Sequence, residues 1–226
     1  MIAGVAASAL HRANWVAIEQ PVEMLWHSTR PPAGVVVRNE LYADDETTMF
    51  FDVPVTTPAR TLFDLGRHLP RDEAVARMDA LLWRGQVEVD DVEPLVARYP
   101  GARGVRRLQT ALALTDRGAE SPQETRIRLL LTDAGMAPTG TQIPVYDVTG
   151  RIVAKVDMGW EDLKIAVQYD GRRHQTDRVR YVRDQKVNRA LAEQHWIVIR
   201  VIIEDSDADV VGRVATALVS RGWRAA

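Results

Sequence analysis

The sequence KVDMGWEDLKIAVQYDGRRH, Lys155 to His174, decides the fold predicted for the C-terminal half of the chain. Two apolar-rich segments with strand composition, 152–157 and 164–169, lie in and next to it. Each finishes near an acidic residue, Asp157 in the first and Asp170 in the second. Carboxylates at the ends of neighbouring strands are typical of a metal or catalytic site.

Helices and strands are predicted on both sides of this stretch. Ser121 and Glu124 have the spacing of a capping box, so a helix is expected to begin there and run to about residue 134. The remaining predicted elements are strand 142–146, helix 180–194, strand 196–202 and helix 208–221. The order α-β-β-β-α-β-α predicts an α/β fold, α+β overall, with a mixed sheet flanked by helices across residues 119–226.

The N-terminal residues 1–118 are predicted as a separate region, with a small sheet in 1–55 and helices in 56–118. Thr57 as N-cap and Pro58 at the first helical position are a strong start signal, because proline needs no amide partner there. Short strands are expected at 22–26, 34–38 and 49–53, and helices at 58–68, 71–84, 89–98 and 101–115. The segment 117–120 is the predicted domain boundary.

Composition excludes several classes of function. The chain has 226 residues and no cysteine, which excludes disulfides, thiolate metal sites and cysteine nucleophiles. Its formal net charge of -2 gives no overall basic signal, so nucleic-acid binding would need a local patch. No run of roughly 18 apolar residues is present, and we expect a cytoplasmic protein without a membrane segment. The oligomeric state is left open.

The run VPVTTPARTLFDLGRH, residues 53–68, is followed by predicted helices. It resembles the C-terminal part of the abortive-infection antitoxin regulators of bacterial type IV toxin–antitoxin systems. In those regulators this part follows a DNA-binding winged helix, which has no counterpart in this sequence. The resemblance covers about the first half of the chain, and it implies a regulator-like scaffold with a protein partner from a toxin–antitoxin system.

A second resemblance rests on residues in a fixed order across 121–205. They are Glu124, Gln142, Asp157, Val167-Gln168-Tyr169-Asp170-Gly171, His174, Asp184, Leu191 and Trp196-Ile197-Val198-Ile199-Arg200. The set resembles the uncharacterised domains related to the very short patch repair endonuclease, in the PD-(D/E)XK superfamily with its restriction-endonuclease-like fold. The resemblance implies a DNA endonuclease dependent on Mg²⁺ or Mn²⁺. Asp157 and Asp170 would bind the ion with help from Glu124 and Gln168, and His174 would assist proton transfer or contact phosphate.

The departures from that family concern the strand before Gly171. Residues two apart on a strand share a face, so Gln168 and Asp170 are expected to point the same way. The family usually has glutamate at Gln168, and the wider superfamily usually has lysine at Asp170. A glutamine oxygen can ligate a hard cation but brings no charge, so metal affinity is expected to fall. Whether the protein is an active enzyme stays open, and the alternative is a non-catalytic nucleic-acid-binding or toxin–antitoxin regulatory protein that retains the fold.

A locally basic segment follows the candidate site. Its basic residues are Arg172, Arg173, Arg178, Arg180, Arg183, Lys186 and Arg189. Only Asp177 and Asp184 interrupt it, so it could hold a DNA backbone beside a phosphodiester site. The alternative is a solvated helix face.

Each candidate also has an interpretation without chemistry. Glu124 is equally well explained as the capping partner of Ser121. Asp157 and Asp170 could be turn residues at strand ends, and His174 could be a surface histidine.

Overall fold

A computed structural model describes residues 1–27, 30–171 and 178–224, with the main chain alone described in 178–184. The chain divides into two compact units, Met1–Arg117 and Gly118–Ala226. The division falls inside the segment 117–120. Within the described residues, no helix combines the length and apolar character needed to cross a membrane.

The first unit is made of two small sheets and five helices among its described residues. Its elements are α1 (Gly4–Leu10), β1 (Val22–Leu25), β2 (Val35–Arg38), β3 (Thr47–Phe50), β4 (Val53–Thr56), α2 (Pro58–His68), α3 (Arg71–Leu82), α4 (Glu93–Arg98) and α5 (Val105–Leu112). Strands β1 and β2 pair in parallel, whereas β3 and β4 form an antiparallel hairpin.

The hairpin corrects the prediction of a single strand at 49–53. The chain reverses at Phe51, which has a φ of 51°. The aromatic composition around this turn resembles a continuous strand, and it carries no glycine or proline to mark the reversal. The predicted helix 89–98 is also divided, into a 3₁₀ turn at Val89–Val92 and α4, in which Pro94 occupies the first turn.

Helix α2 begins and ends where the sequence predicts. The Thr57 hydroxyl accepts a hydrogen bond from the Arg60 amide at 3.3 Å, and Pro58 occupies the first helical position. Leu62, Phe63 and Leu65 are fully buried. The next helix also contributes to the core, because Ala74, Met78, Leu81 and Leu82 of α3, which recur at helical spacing, are all buried.

The second unit has a four-stranded mixed sheet between helices. Its elements are α6 (Pro122–Asp133), β5 (Gly140–Tyr146), β6 (Ile152–Trp160), β7 (Ile165–Tyr169), α7 (Arg178–Glu193), β8 (Ile197–Val201) and α8 (Asp207–Ser220). The strand order is β5-β6-β7-β8, with β7 and β8 parallel and the other two pairs antiparallel. The predicted α/β class, α+β overall with a mixed sheet, is confirmed.

Two apolar clusters cover the sheet, and they meet at Asp157. Before it, Ala154 and Val156 belong to the cluster that contains Leu191 of α7. After it, Met158 and Trp160 belong to the cluster with residues of α6 and α8. The apolar side chains of β6 therefore change cluster at Asp157, which leaves this polar residue at the junction.

Candidate functional site

Glu124 lies in the first turn of α6, and its contacts make it both a cap and a link to the sheet. The Ser121 hydroxyl accepts from the Glu124 amide at 3.2 Å and donates to Glu124 Oε1 at 2.8 Å. Glu124 Oε2 accepts from the Glu120 amide at 2.9 Å and from Gln142 Nε2 at 3.1 Å. The capping interpretation is confirmed, and the same contacts fix the carboxylate beside β5.

Asp157 lies inside β6 rather than at its end. The strand continues to Trp160, so both the predicted end at residue 157 and the alternative of a turn residue are wrong. Asp157 Oδ2 accepts a hydrogen bond from the Tyr169 amide of β7 at 2.8 Å. Gln142 lies across from Asp157, because its neighbours pair as Thr141 with Met158 and Ile143 with Val156.

Gln142 is in the left-handed region, with a φ of 49°. Such a backbone conformation is uncommon for a residue with a side chain, and it occurs at turns, at strand irregularities and at some functional positions. Here it accompanies the hydrogen bond from Gln142 to Glu124, so a strained strand residue orients a carboxylate.

The two carboxylates have raised pKa values for related reasons. Burial, and then the negative charge of Asp157, raise the pKa of Glu124 to about 7, although hydrogen bonds from the Glu120 amide and Ser121 oppose the shift. Burial also raises the pKa of Asp157, as do the charges of Asp170 and Glu120, while the Tyr169 amide lowers it. Lys155 is nearby, but its ammonium contacts Glu120 at 2.8 Å. The site therefore holds excess negative charge.

Asp170 continues the pairing of β7 with β8, since its amide donates to the Val201 carbonyl at 2.8 Å. Its Oδ2 accepts from Nη1 of Arg200 at 2.6 Å. The other terminal nitrogen of Arg200 donates to Asn188 Oδ1 of α7. The charge of Asp170 is therefore matched by a guanidinium of the neighbouring strand.

Gln168 pairs in register with Arg200 across β7 and β8. Its Oε1 atom is buried and has no hydrogen-bond partner within the described residues. A buried amide oxygen without a donor costs about 1 to 3 kcal/mol, so this atom needs an explanation. It lies one residue before Tyr169, whose amide binds Asp157.

The structure brings the predicted carboxylates together only in part. The charge of Asp157 raises the pKa of Glu124, and the charge of Asp170 raises the pKa of Asp157. However, these three do not form a group with ligand atoms all within 4.8 Å; in the described part of the chain that spacing belongs to Glu40, Asp64 and His68. Arg200 binds the carboxylate of Asp170, and the Tyr169 amide binds that of Asp157.

Most side chains of the predicted basic segment lie outside the part of the chain that the structure describes. Arg172, Arg173 and His174 lie outside the described residues. The helix α7 contains Arg178, Arg180 and Arg183, but their side chains lie outside the description as well. Lys186 and Arg189 are exposed on this helix.

The group Glu40, Asp64 and His68 in the first unit was not predicted from sequence, and by its spacing it could hold a metal ion. Arginines already bind its carboxylates. Arg67 Nη2 contacts Glu40 and donates to Asp64 Oδ1 at 2.9 Å, and His68 Nε2 lies 2.9 Å from Glu40 Oε1. Although burial alone would raise the pKa of Glu40, hydrogen bonds from His68 and Arg67 lower it to about 2.

Arg60 extends this group into a buried charge network. Its side chain is 1% exposed, its Nε lies 3.1 Å from both Asp64 oxygens, and its Nη1 contacts Glu46. In α2, Asp64 is one turn and Arg67 two turns after Arg60. Charged residues at this helical spacing, among apolar residues, were the sequence signal from which the network could have been predicted. They lie in the run with the antitoxin resemblance.

The comparisons with known proteins do not decide between these sites. No family model matches the sequence, and no solved structure matches it either. The chain is similar to two uncharacterised proteins. Both are from Mycobacterium tuberculosis, one from strain CDC 1551 / Oshkosh and one from strain ATCC 25618 / H37Rv, and each is 29% identical over 150 residues. The match covers 66% of this chain and 55% of each relative, so the chain spans about half the length of the relatives that it matches.

Proposed function

We propose that the unit Gly118–Ala226 binds a divalent cation at Glu124 and Asp157 and hydrolyses phosphodiester bonds in DNA. One observation carries the proposal. A carboxylate from the start of α6 and another from the middle of β6 lie close enough for Asp157 to raise the pKa of Glu124, and neither forms an ion pair with a basic side chain among the described residues. A bound cation would stabilise two partly buried carboxylates in this arrangement.

The donor atoms at this site fit magnesium or manganese. Both ions prefer oxygen ligands, and Glu124 and Asp157 supply carboxylate oxygens. The buried Gln168 Oε1, which has no hydrogen-bond partner among the described residues, offers an amide oxygen as a further ligand. When bound, such a cation neutralises phosphate charge and lowers the pKa of water.

The residues of this chain position the site. Ser121 and Gln142 orient Glu124 through hydrogen bonds, and the Tyr169 amide orients Asp157. The exposed Lys186 and Arg189 of α7 would contact the DNA backbone, together with the arginines predicted before them. His174 keeps the role that the endonuclease resemblance implies, in proton transfer or phosphate contact. We expect the protein to act on DNA in a bacterial cytoplasm.

The experiment compares DNA cleavage by three proteins in Mg²⁺ and in Mn²⁺. We expect the unaltered chain to nick duplex DNA, and Asp157→Asn to lose at least about 100-fold, because it removes a central ligand charge. Asp162→Asn makes the same change at an exposed turn position and should cleave normally. Undiminished cleavage by Asp157→Asn would overturn the proposal.

A second candidate function is a nucleic-acid-binding or toxin–antitoxin regulatory protein without catalysis. Two observations favour it: Asp170 is ion-paired with Arg200, and residue 168 is a neutral glutamine. Only the carboxylates of Glu124 and Asp157 then remain for a cation among the four candidate ligand positions. This candidate function predicts salt-dependent DNA binding with no cleavage in either metal. In that case a toxin of the same system would be the expected protein partner.

A further inference from the structure

A polar cavity of about 490 Å³ lies in the unit Met1–Arg117, between strand β2, the end of α2 and the start of α5. Four of its lining residues are basic or become so on protonation: Arg38, His68, Arg103 and Arg107. Asn39 adds an amide. The lining therefore consists mainly of hydrogen-bond donors.

The charges in this cavity are not balanced. Glu40 is its one lining carboxylate, and it is already bound by Arg67 and His68. Arg38 is paired with Glu23 at 2.8 Å. Among the described residues, neither Arg103 nor Arg107 has a carboxylate partner. Two guanidiniums of the cavity thus remain without a counter-charge.

Arg103 lies in the loop before α5 and Arg107 in the first turn of α5, and hydrogen bonds tie both to Arg67 of α2. Gly104 has a φ of 89°, and a Cβ at this position would overlap the Arg67 carbonyl oxygen. Arg107 Nη2 donates to that carbonyl at 2.7 Å, and Arg67 Nη1 donates to the Arg103 carbonyl at 3.1 Å. Because α5 begins at Val105, its positive end lies at the same loop. Contacts that hold a loop in place lower the entropy lost on binding.

A separate observation concerns two unpaired polar atoms beside these cavities. Arg67 Nε, a donor, and His68 Nδ1, an acceptor when Nε2 donates to Glu40, are buried, and neither has a hydrogen-bond partner in the described part of the chain. Both side chains are at least nine-tenths buried. His68 lines this cavity, and Arg67 lines a neighbouring one.

We propose that this cavity binds the phosphate of a small phosphomonoester. The forked guanidinium matches the geometry of phosphate oxygens, which favours phosphate over a monovalent halide. The neighbouring cavity of about 470 Å³ shares Glu40 and Arg103 with it and is also lined by Phe63 and Tyr99. An organic group attached to the phosphate therefore has an apolar and aromatic space to enter. The two volumes are typical of small-ligand sites.

The test is calorimetric titration of the full chain with inorganic phosphate, adenosine 5′-monophosphate and adenosine, all with a chelator present. Phosphate and the nucleotide should bind, the nucleotide more tightly, and adenosine should not bind measurably. Arg103→Ala should raise both dissociation constants by about tenfold or more, because it removes a charge-assisted hydrogen bond. The Arg103 side chain makes no hydrogen bond in the described structure, so its removal leaves the fold intact.

Arg106→Ala is the matched control. It removes the same charge three residues further along, in the first turn of α5, but Arg106 lines a different groove. Its dissociation constants should stay within about twofold of the unaltered chain. Equal losses in Arg103→Ala and Arg106→Ala would mean a diffuse charge effect and would overturn the proposal.

Two further results would overturn it. One is no binding of phosphate or of the nucleotide at millimolar concentration. The other is Arg103-dependent binding of a short DNA duplex without nucleotide binding, which would assign these arginines to a nucleic-acid backbone. Asp157→Asn, which lies in the other unit, should leave phosphate binding unchanged, so this inference and the proposed nuclease site fail independently.

Discussion

Arg200 Nη1 donates to Asp170 Oδ2 at 2.6 Å, which joins two neighbouring parallel strands by an ion pair at the edge of the candidate site. Both side chains are 37% exposed. The Arg200 guanidinium therefore already binds the Asp170 carboxylate, which the sequence predicts as a metal ligand. Binding of Asp170 to a cation would require this ion pair to open or to share the carboxylate.

Replacing Arg200 should accordingly change metal affinity. We expect Arg200→Gln to bind Mn²⁺ more tightly, by about tenfold, since it removes a competing positive charge and frees a carboxylate. Calorimetric titration with Mn²⁺ in the absence of DNA measures this. Arg126→Gln is the control, because it breaks a comparable exposed ion pair with Asp207 away from the site. Weaker Mn²⁺ binding by Arg200→Gln would mean that Asp170 is not a ligand.

Gln168→Glu tests whether the neutral side chain limits the cation site. The change adds a negative charge beside Asp157, so we expect Mn²⁺ to bind about tenfold or more tightly and the metal-free protein to lose stability. Calorimetry and thermal unfolding with and without Mn²⁺ measure the two effects. Gln194→Glu, at the end of α7, makes the same change away from the site. An unchanged Mn²⁺ affinity of Gln168→Glu would show that residue 168 does not contribute to the cation site.

The raised pKa of Glu124 predicts a pH-dependent stability. Its pKa rises from 4.5 to about 7 in the folded state, so the folded state favours the protonated form. The destabilisation is absent below the unfolded pKa, grows as the pH rises towards about 7, and is constant above that. Glu124→Gln should therefore unfold with a free energy higher than the unaltered chain by on the order of 2 kcal/mol at pH 8, and equal to it at pH 4.

Urea denaturation at both pH values measures this difference. Glutamine is accepted at this position of a capping box, so the loss of a cap does not obscure the result. A stability gain of the same size at pH 4 would assign the effect to packing rather than to ionisation.

Gly104→Ala tests the close approach of the loop between α4 and α5 to helix α2. The substitution meets both a left-handed φ and overlap with the Arg67 carbonyl oxygen, so we expect a loss of about 2 kcal/mol or more. Thermal unfolding measures it. Gly34→Ala is the matched control in the same unit, with a φ of 79° and no atom within 4 Å of the added Cβ. Similar losses in both variants would show that backbone strain alone is responsible.

Local signals predicted most of the elements. The N-cap Thr57 and the following Pro58 place α2 correctly, because capping depends on residues adjacent in sequence. The apolar-rich composition of β6 and β7 likewise identifies them as strands. The hairpin at Phe51 was missed because its turn contains neither glycine nor proline.

Contacts between distant residues explain what was missed at the sites. The sequence predicts that the strand ends at Asp157, yet β6 continues to Trp160 because Met158–Trp160 pair with β7. The Arg60, Asp64 and Arg67 network became visible only when Glu40 and Glu46 were brought to it from before the helix. Sequence spacing shows that charges share a helix face, but not which partners neutralise them.

The sequence by itself determined the α+β class, the order of the elements in the second half and the residue types that make Glu124 and Asp157 candidates for chemistry. Those properties follow from hydrophobic period, capping and turn residues, all of which act over a few positions along the chain. Only the tertiary structure decided that Arg200 pairs with Asp170, that Gln168 Oε1 is buried with no partner among the described residues and that Arg103 and Arg107 share a cavity. Charge pairing and burial depend on distances between segments far apart in sequence, and those distances exist only after the chain has folded.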